Sequence, residues 1–207
     1  NDGTLSANGT APTTPAADNV TFTGGVMDIL AGDDVITSAD TAIQAKLLAG
    51  GDYFINGGAG HDTLKLAVGA TLDLTAITST QTVLGIKEVE HFVLQGTNSH
   101  LTLNANDVLS LGGVGTNALA FSSTTLNNAS TTTSSANHTQ FVIDGTATDI
   151  VTLNSLTGNG GNTGAWTDMG KTGIINGHTY EVFNHSTTNA QVLIDTTIFN
   201  ANHLTLG

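Results

Sequence analysis

Short apolar runs broken by glycine, asparagine and aspartate recur along this chain. Residues 1–19 have no periodic apolar positions and contain both prolines, so they read as a linker before an ordered region that begins near Val20. Residues 20–66 hold three Gly/Asp turns, each beside a short apolar run. The first contains Asp28, Asp33 and Asp34, the second Asp52, and the third Gly58, Gly60 and Asp62. Between the first two lies TAIQAKLL (residues 41–48), the strongest helix candidate, with Ser38 or Asp40 as N-cap and Gly50 as its close.

Further along, LAVGATLDL, KEVEHFVLQ and HLTLN alternate or run apolar as half-buried strands do. ANDVLSL (residues 105–111) suits one helical turn, and the polar, low-complexity stretch 122–139 reads as a long loop. Strand signals resume at 140–144, 149–154, 173–175, 179–184, 191–195 and 203–206. The expectation is an all-β fold, an elongated β-sandwich or β-roll-like domain over 20–207 with one short helix. The polar loop would divide it into lobes 20–121 and 140–207.

Composition sharpens this picture. Four Lys and no Arg, against a formal net charge of −13, leave too few cations to neutralise a phosphate backbone or an anionic lipid surface. Nucleic-acid binding is therefore excluded, and no apolar run is long enough for membrane insertion. The absence of Cys removes disulfides, thiolate metal sites and a Cys nucleophile. Of the seventeen carboxylates, only Glu88, Glu90 and Glu181 are Glu. A surplus of Asp suits short, rigid, oxygen-rich Ca²⁺ loops, and an acidic chain repels itself until cations neutralise it.

The third turn and its following strand, residues 57–65 (GGAGHDTLK), fit the nonapeptide G-G-x-G-x-D-x-U-x at every specified position. Its glycines turn the backbone sharply, and its Asp supplies a carboxylate. Ca²⁺ takes six to eight oxygens, so one turn needs a stacked neighbour. Gly32-x-Asp34 and Gly50-x-Asp52 repeat the G-x-D core, Asp34 and Asp52 being two nonapeptides apart. The helix candidate interrupts that stacking, and Asp62 falls one residue out of register with Asp52.

This stretch resembles the RTX, or haemolysin-type calcium-binding, repeats of proteins exported by type I secretion, in a short and degenerate form covering roughly residues 25–66. Residues 86–90, 101–111 and 143–153, with Trp166 and Tyr180, resemble segments that recur near the RTX region of very large adhesins. The resemblance implies a secreted, cell-surface module of a biofilm-type adhesin, near its distal end, that binds an extracellular peptide or glycan on a host or neighbouring cell through Ca²⁺.

The remaining candidates stay open between two readings each. Asp144 and Asp149, five apart across Gly145, either clamp an ion or form an Asx-turned hairpin. Trp166 sits after a Gly/Asn-rich segment and, with Asp168, is either a ligand-stacking site or the rim of the core. Glu88 and Glu90 on one strand face, with His91 on the other, read as a solvated face. The seven His form no His-x-x-x-His or His-Glu-x-x-His spacing, and no G-x-S-x-G is present, so a non-enzymatic, monomeric module is expected. The rival reading is a Ca²⁺-stabilised spacer or surface-layer piece that binds nothing else; a third is a secreted enzyme acting on polysaccharide or peptide.

Overall fold

The computed structural model describes residues 17–24, 26–29, 31–39, 43–48, 54–76, 85–111, 138–155 and 163–207. Asp40, Gly50 and Asp52, most of the polar loop and most of the Gly/Asn-rich segment lie outside them. Strands dominate, as the scarcity of helix formers predicts, and they form three open sheets rather than a barrel.

The chain winds in successive coils that lay parallel strands on one another. The first coil gives β1 (Asn19–Phe22) and β2 (Val26–Asp28). The second gives β3 (Val35–Ser38), α1 (Ile43–Leu48) and β4 (Phe54–Asn56), and the third β5 (Thr63–Lys65), β6 (Thr71–Asp73), a 3-10 turn and β7 (Ile86–Lys87). The fourth coil supplies β8 (His91–Val93), β9 (His100–Asn104) and α2 (Ala105–Leu111); the fifth supplies β10 (Thr139–Asp144) and β11 (Ile150–Asn154). A hairpin, β12 (Trp166–Ile175) and β13 (His178–His185), precedes the last coil of β14 (Ala190–Asp195), α3 (Thr196–Asn200) and β15 (Leu204–Leu206).

The largest sheet is ordered β1-β3-β5-β8-β10-β14-β13-β12, parallel from β1 to β14 and antiparallel through the hairpin. The second, β15-β11-β9-β6, and the third, β2-β4-β7, are parallel throughout.

Register turns this winding into columns of like side chains. Ile36, Leu64, Phe92, Ile143 and Ile194 stack down the large sheet. Leu72, Leu101 and Val151 stack down the second, and Met27, Ile55 and Ile86 down the third. These residues belong to a single buried apolar cluster inside the coil. Continuous aliphatic columns suit parallel strands, whose evenly spaced register places equivalent residues directly over one another. The outer face of the large sheet carries a smaller cluster, Val142, Tyr180, Val182 and Leu193. Both faces of β14 are therefore buried.

Two sequence expectations are corrected here. Among the described residues there are three α-helices where one short helix is expected; α2 extends the helical turn expected at 105–111, and α2 and α3 continue directly from the ends of β9 and β14. Asp195 caps α3 by accepting from the Thr197 N–H, and Ser38 is the last residue of β3. The first coil already includes Asp18 and Asn19, so the linker ends before residue 19. Helix α1 occupies the place where a strand would extend the second sheet past β6. The Gln44 side-chain amide pairs with the Asp73 backbone at both N–H and C=O, closing that sheet edge.

Two adjacent turns stack so closely that glycine is required. A Cβ on Gly60, whose φ is +146°, would overlap the Gly32 carbonyl, and one on Gly57 would overlap the Glu88 carbonyl and the Asp62 side chain. Gly177, in the Asn176-Gly177 hairpin turn, has φ +88° but open space around it. Gly60→Ala should therefore cost about 2–4 kcal/mol, combining backbone strain with overpacking, against about 1 kcal/mol for Gly177→Ala. Chemical denaturation of both variants checks this, and equal losses would mean the turns do not need their close stacking.

Candidate cation sites

One acidic column organises the turn side of the coil. Asp18, Asp34, Asp62 and Glu90 each stand one residue before a strand of the large sheet, in matching register. Each later acid accepts a hydrogen bond from the backbone N–H of the one before it. Asp18 N–H donates to Asp34 Oδ1 at 2.6 Å, Asp34 N–H to Asp62 Oδ1 at 2.9 Å, and Asp62 N–H to Glu90 Oε2 at 2.9 Å. The spacing of the last two links is 28 residues, because one coil here contains a helix or an additional strand besides the two outer ones.

The Gly32-x-Asp34 turn thus stacks on Gly60-x-Asp62, joined by the Ala31–Ala59 bridge and by the Gly32 N–H to the Ala59 carbonyl. Asp52, the expected intermediate partner, lies outside the described residues. Glu90, read from sequence as part of a solvated face, is buried and continues the column. Glu88 is exposed, with φ +51°. The column ends at Phe141, which takes the next position and packs edge-on against Phe92.

The other turn residues surround this pair. Asp33 Oδ1 accepts the His61 N–H at 3.0 Å, and Asp28 Oδ1 accepts the Asn56 side-chain amide at 2.9 Å. Asp34 Oδ2, Asp62 Oδ2 and Asn56 Oδ1 are buried without a hydrogen-bond partner. Gly58 and Gly60 hold the turn in backbone conformations with φ +93° and +146°.

Burial lifts the Asp62 carboxyl to about 7. The Asp34 N–H works against that rise, and the charges of Asp34, Asp33 and Glu88 add to it. Burial also raises Asp34, against its bond from Asp18. Buried acceptors without a donor are groups that a hard, oxygen-seeking cation could serve, but among the described residues the only three His, Asp or Glu ligand atoms that converge within 4.8 Å belong to the cluster of Asp144, His178 and Asp195.

A second corner repeats the device with different chemistry. Gly69 N–H donates to Ser99 Oγ, and Ser99 N–H to Asp149 Oδ1, just before β6, β9 and β11. Asp149 Oδ2 accepts the Thr146 N–H and hydroxyl. Asp149 holds a turn between two sheets, and because β10 and β11 lie in different sheets the Asp144–Asp149 segment is not a hairpin.

Asp144 instead meets residues from other strands. It ends β10 beside Asp195, which ends β14, and Tyr180 of β13 is paired with Asp195. His178, two residues from Tyr180, shares its face. The Tyr180 hydroxyl donates to Asp144 Oδ1. His91 Nε2 lies 2.9 Å from Asp144 Oδ2 and must donate, because a carboxylate only accepts; Thr63 Oγ1 lies 3.3 Å from its other nitrogen. His178 Nδ1 lies 3.2 Å from Asp195 Oδ2.

Burial would raise the Asp144 carboxyl, but the His91 hydrogen bond and charge and the Tyr180 hydroxyl outweigh it, and the net shift is downward. Burial and the Asp144 carboxylate push the Tyr180 phenol up. Asp144, His178 and Asp195 offer ligand atoms that all lie within 4.8 Å of one another, and this cluster can hold a metal ion. Sequence reasoning named Asp144 but missed His178 and Asp195. The Asn176-Gly177 hairpin signal could have brought His178 and Tyr180 onto a strand, but the β13–β14 register was not legible.

Trp166 is 5% exposed. Its indole N–H donates to the Asn154 carbonyl at 3.2 Å, and its ring meets His185 edge-on with centroids 5.3 Å apart. It is a core residue and offers no face on which a sugar or peptide could stack. Asp168 is exposed and accepts the Gly170 N–H at an irregularity in β12. Comparisons with protein-family models, curated proteins and solved structures find no match to this chain.

Two outcomes follow for the cation-free protein. Because the folded carboxyl of Asp62 titrates near 7 rather than 3.8, the stability it contributes is complete below pH about 4 and is lost as pH rises through about 7. In chelator, the melting temperature should fall by a few degrees across that window. Asp62→Asn, which keeps an acceptor for the Asp34 N–H, should flatten much of the slope; an unchanged slope would place the titration elsewhere. Trp166→Ala should lower stability by about 3–5 kcal/mol in denaturant unfolding, as expected for an aromatic residue removed from a core.

Proposed function

We propose that the chain is a calcium-folded β-coil module of a secreted, RTX-type surface adhesin, a β-roll-like scaffold whose own contribution is mechanical. The observation that carries this reading is the pair of buried, unpartnered oxygens, Asp34 Oδ2 and Asp62 Oδ2, on two stacked glycine turns. Asp34 and Asp62 would hold the ion, with Asn56, Asp28 and Asp33 beside them. Bound Ca²⁺ would supply the positive charge that this acidic column lacks.

The rest of the argument concerns the chain's own residues. In the absence of a cation, stacked carboxylates at successive coils repel one another in a poorly solvated setting, and the folded state is penalised. A cation that binds the folded coil and not the unfolded chain shifts the balance by RT ln(1 + [L]/Kd). Extracellular modules bind Ca²⁺ in the region of 10⁻⁴–10⁻³ M, so such a chain would stay open in a low-calcium cytosol and fold outside the cell.

A second reading, ligand recognition, draws on one observation. The Asp144–His178–Asp195 cluster opens to solvent on the exposed side of His178, so an ion held there would keep free coordination positions for a peptide or glycan group. The burial of Trp166 speaks against a stacking mode of recognition, which is why the mechanical reading leads.

Thermal melting with and without Ca²⁺ tests the proposal. Millimolar Ca²⁺ should raise the melting temperature of the chelated protein by several degrees. Asp34→Ala and Asp62→Ala should reduce that increment, and the exposed control Asp168→Ala should keep it. A melting curve indifferent to Ca²⁺, or an increment equal in all variants, would remove calcium from the turns.

A further inference from the structure

We infer that Asp144, His178 and Asp195 form a second, chemically distinct metal site that takes a borderline divalent ion of the Zn²⁺ class rather than Ca²⁺. The three donors come from three neighbouring strands of one sheet, β10, β13 and β14, whose register fixes them at the same end and on the same face. The donor set is one imidazole nitrogen and two carboxylate oxygens. Calcium prefers oxygen throughout, whereas zinc accepts His and Asp together.

Geometry supports the assignment. With Zn–N and Zn–O bonds of about 2.0–2.2 Å, ligand atoms of a tetrahedral site lie roughly 3.4 Å apart. His178 Nδ1 and Asp195 Oδ2 are already 3.2 Å apart, and all three donors fall within 4.8 Å of one another. Closing the set requires a shift of about an ångström, which the exposed His178 side chain can supply.

The ligands are also pre-oriented from behind, as metal ligands usually are. His91 and Tyr180 hold the two oxygens of Asp144. The Thr197 N–H and hydroxyl hold Asp195 Oδ1, leaving Oδ2 facing His178. An ion entering here takes the lone pair of His178 Nδ1 as a neutral imidazole, with the ring proton on Nε2, and supplies positive charge between two adjacent carboxylates. Three protein donors leave at least one position for water.

The experiment titrates Zn²⁺ calorimetrically into the intact chain in saturating Ca²⁺, so that the fold does not depend on the added zinc. The expected result is one equivalent of Zn²⁺ per chain that further millimolar Ca²⁺ does not displace. His178→Ala, at an exposed position that leaves the Ca²⁺-dependent melting intact, should weaken it by about 100-fold, and His91→Ala, an outer partner, by about 10-fold. His203→Ala should bind as the parent does. Absence of a stoichiometric event, displacement by Ca²⁺, or equal affinity in His178→Ala would overturn the site. Because the Ca²⁺ melting increment is read separately, zinc can fail without the calcium proposal failing, and the converse holds as well.

Discussion

A parallel coil must satisfy the backbone at its corners. Strands pair their N–H and C=O groups with the coils above and below, but a corner turns too sharply to continue the ladder, and a buried N–H without a partner is costly. This chain meets the constraint with side chains from the next coil. Asp34 takes the Asp18 N–H, Asp62 that of Asp34, and Glu90 that of Asp62; at another corner Ser99 and Asp149 do the same. Short side chains suit this, since their acceptor oxygens lie close to their own backbone. Glu enters the column where the preceding turn is shorter, three residues from Lys87 to Glu90 against six from Asn56 to Asp62.

The solution at one corner creates the problem at another scale. One hydroxyl and one Asp raise no electrostatic difficulty, but successive carboxylates do. The column of acids gathers charge where water is scarce, and two of its oxygens stay unpartnered. The residues that satisfy the backbone at this corner are thus the same ones that the proposed cation would neutralise. An uncharged column of Asn would satisfy the same N–H groups without gathering charge, so it is the choice of Asp that makes this corner acidic.

Much of this was legible before any coordinates. The Gly/Asp turns, the helix over 43–48 and the strand pattern followed from local chemistry, because each depends on residues adjacent in sequence. What escaped was long-range. Counting in nonapeptides paired Asp34 with Asp52, since nothing local reveals that one coil takes 28 residues. Glu90 alternates like a surface residue on its own strand, and only stacking buries it. His178 and Asp195 are separated by a hairpin strand and a turn, so their meeting depends on the β13–β14 register rather than on any motif. Trp166 follows a segment rich in glycine, yet it is buried through a carbonyl of β11.

The acid column also has a direction. Within it the N–H groups of Asp18, Asp34 and Asp62 are each completed by the coil that follows in sequence, and the N–H of Glu90, where the column ends, turns back to the Asp62 carbonyl. Loss of the earliest coil therefore strips a carboxylate of its donor, and water replaces that donor readily. Loss of a later coil strips a backbone N–H of its carboxylate acceptor, and water takes that place too, exchanging a charge-assisted hydrogen bond for an ordinary one. In these links Asp34 and Asp62 both accept and donate, whereas Asp18 only donates and Glu90 only accepts, so the two middle turns are the ones fixed from the coils on both sides.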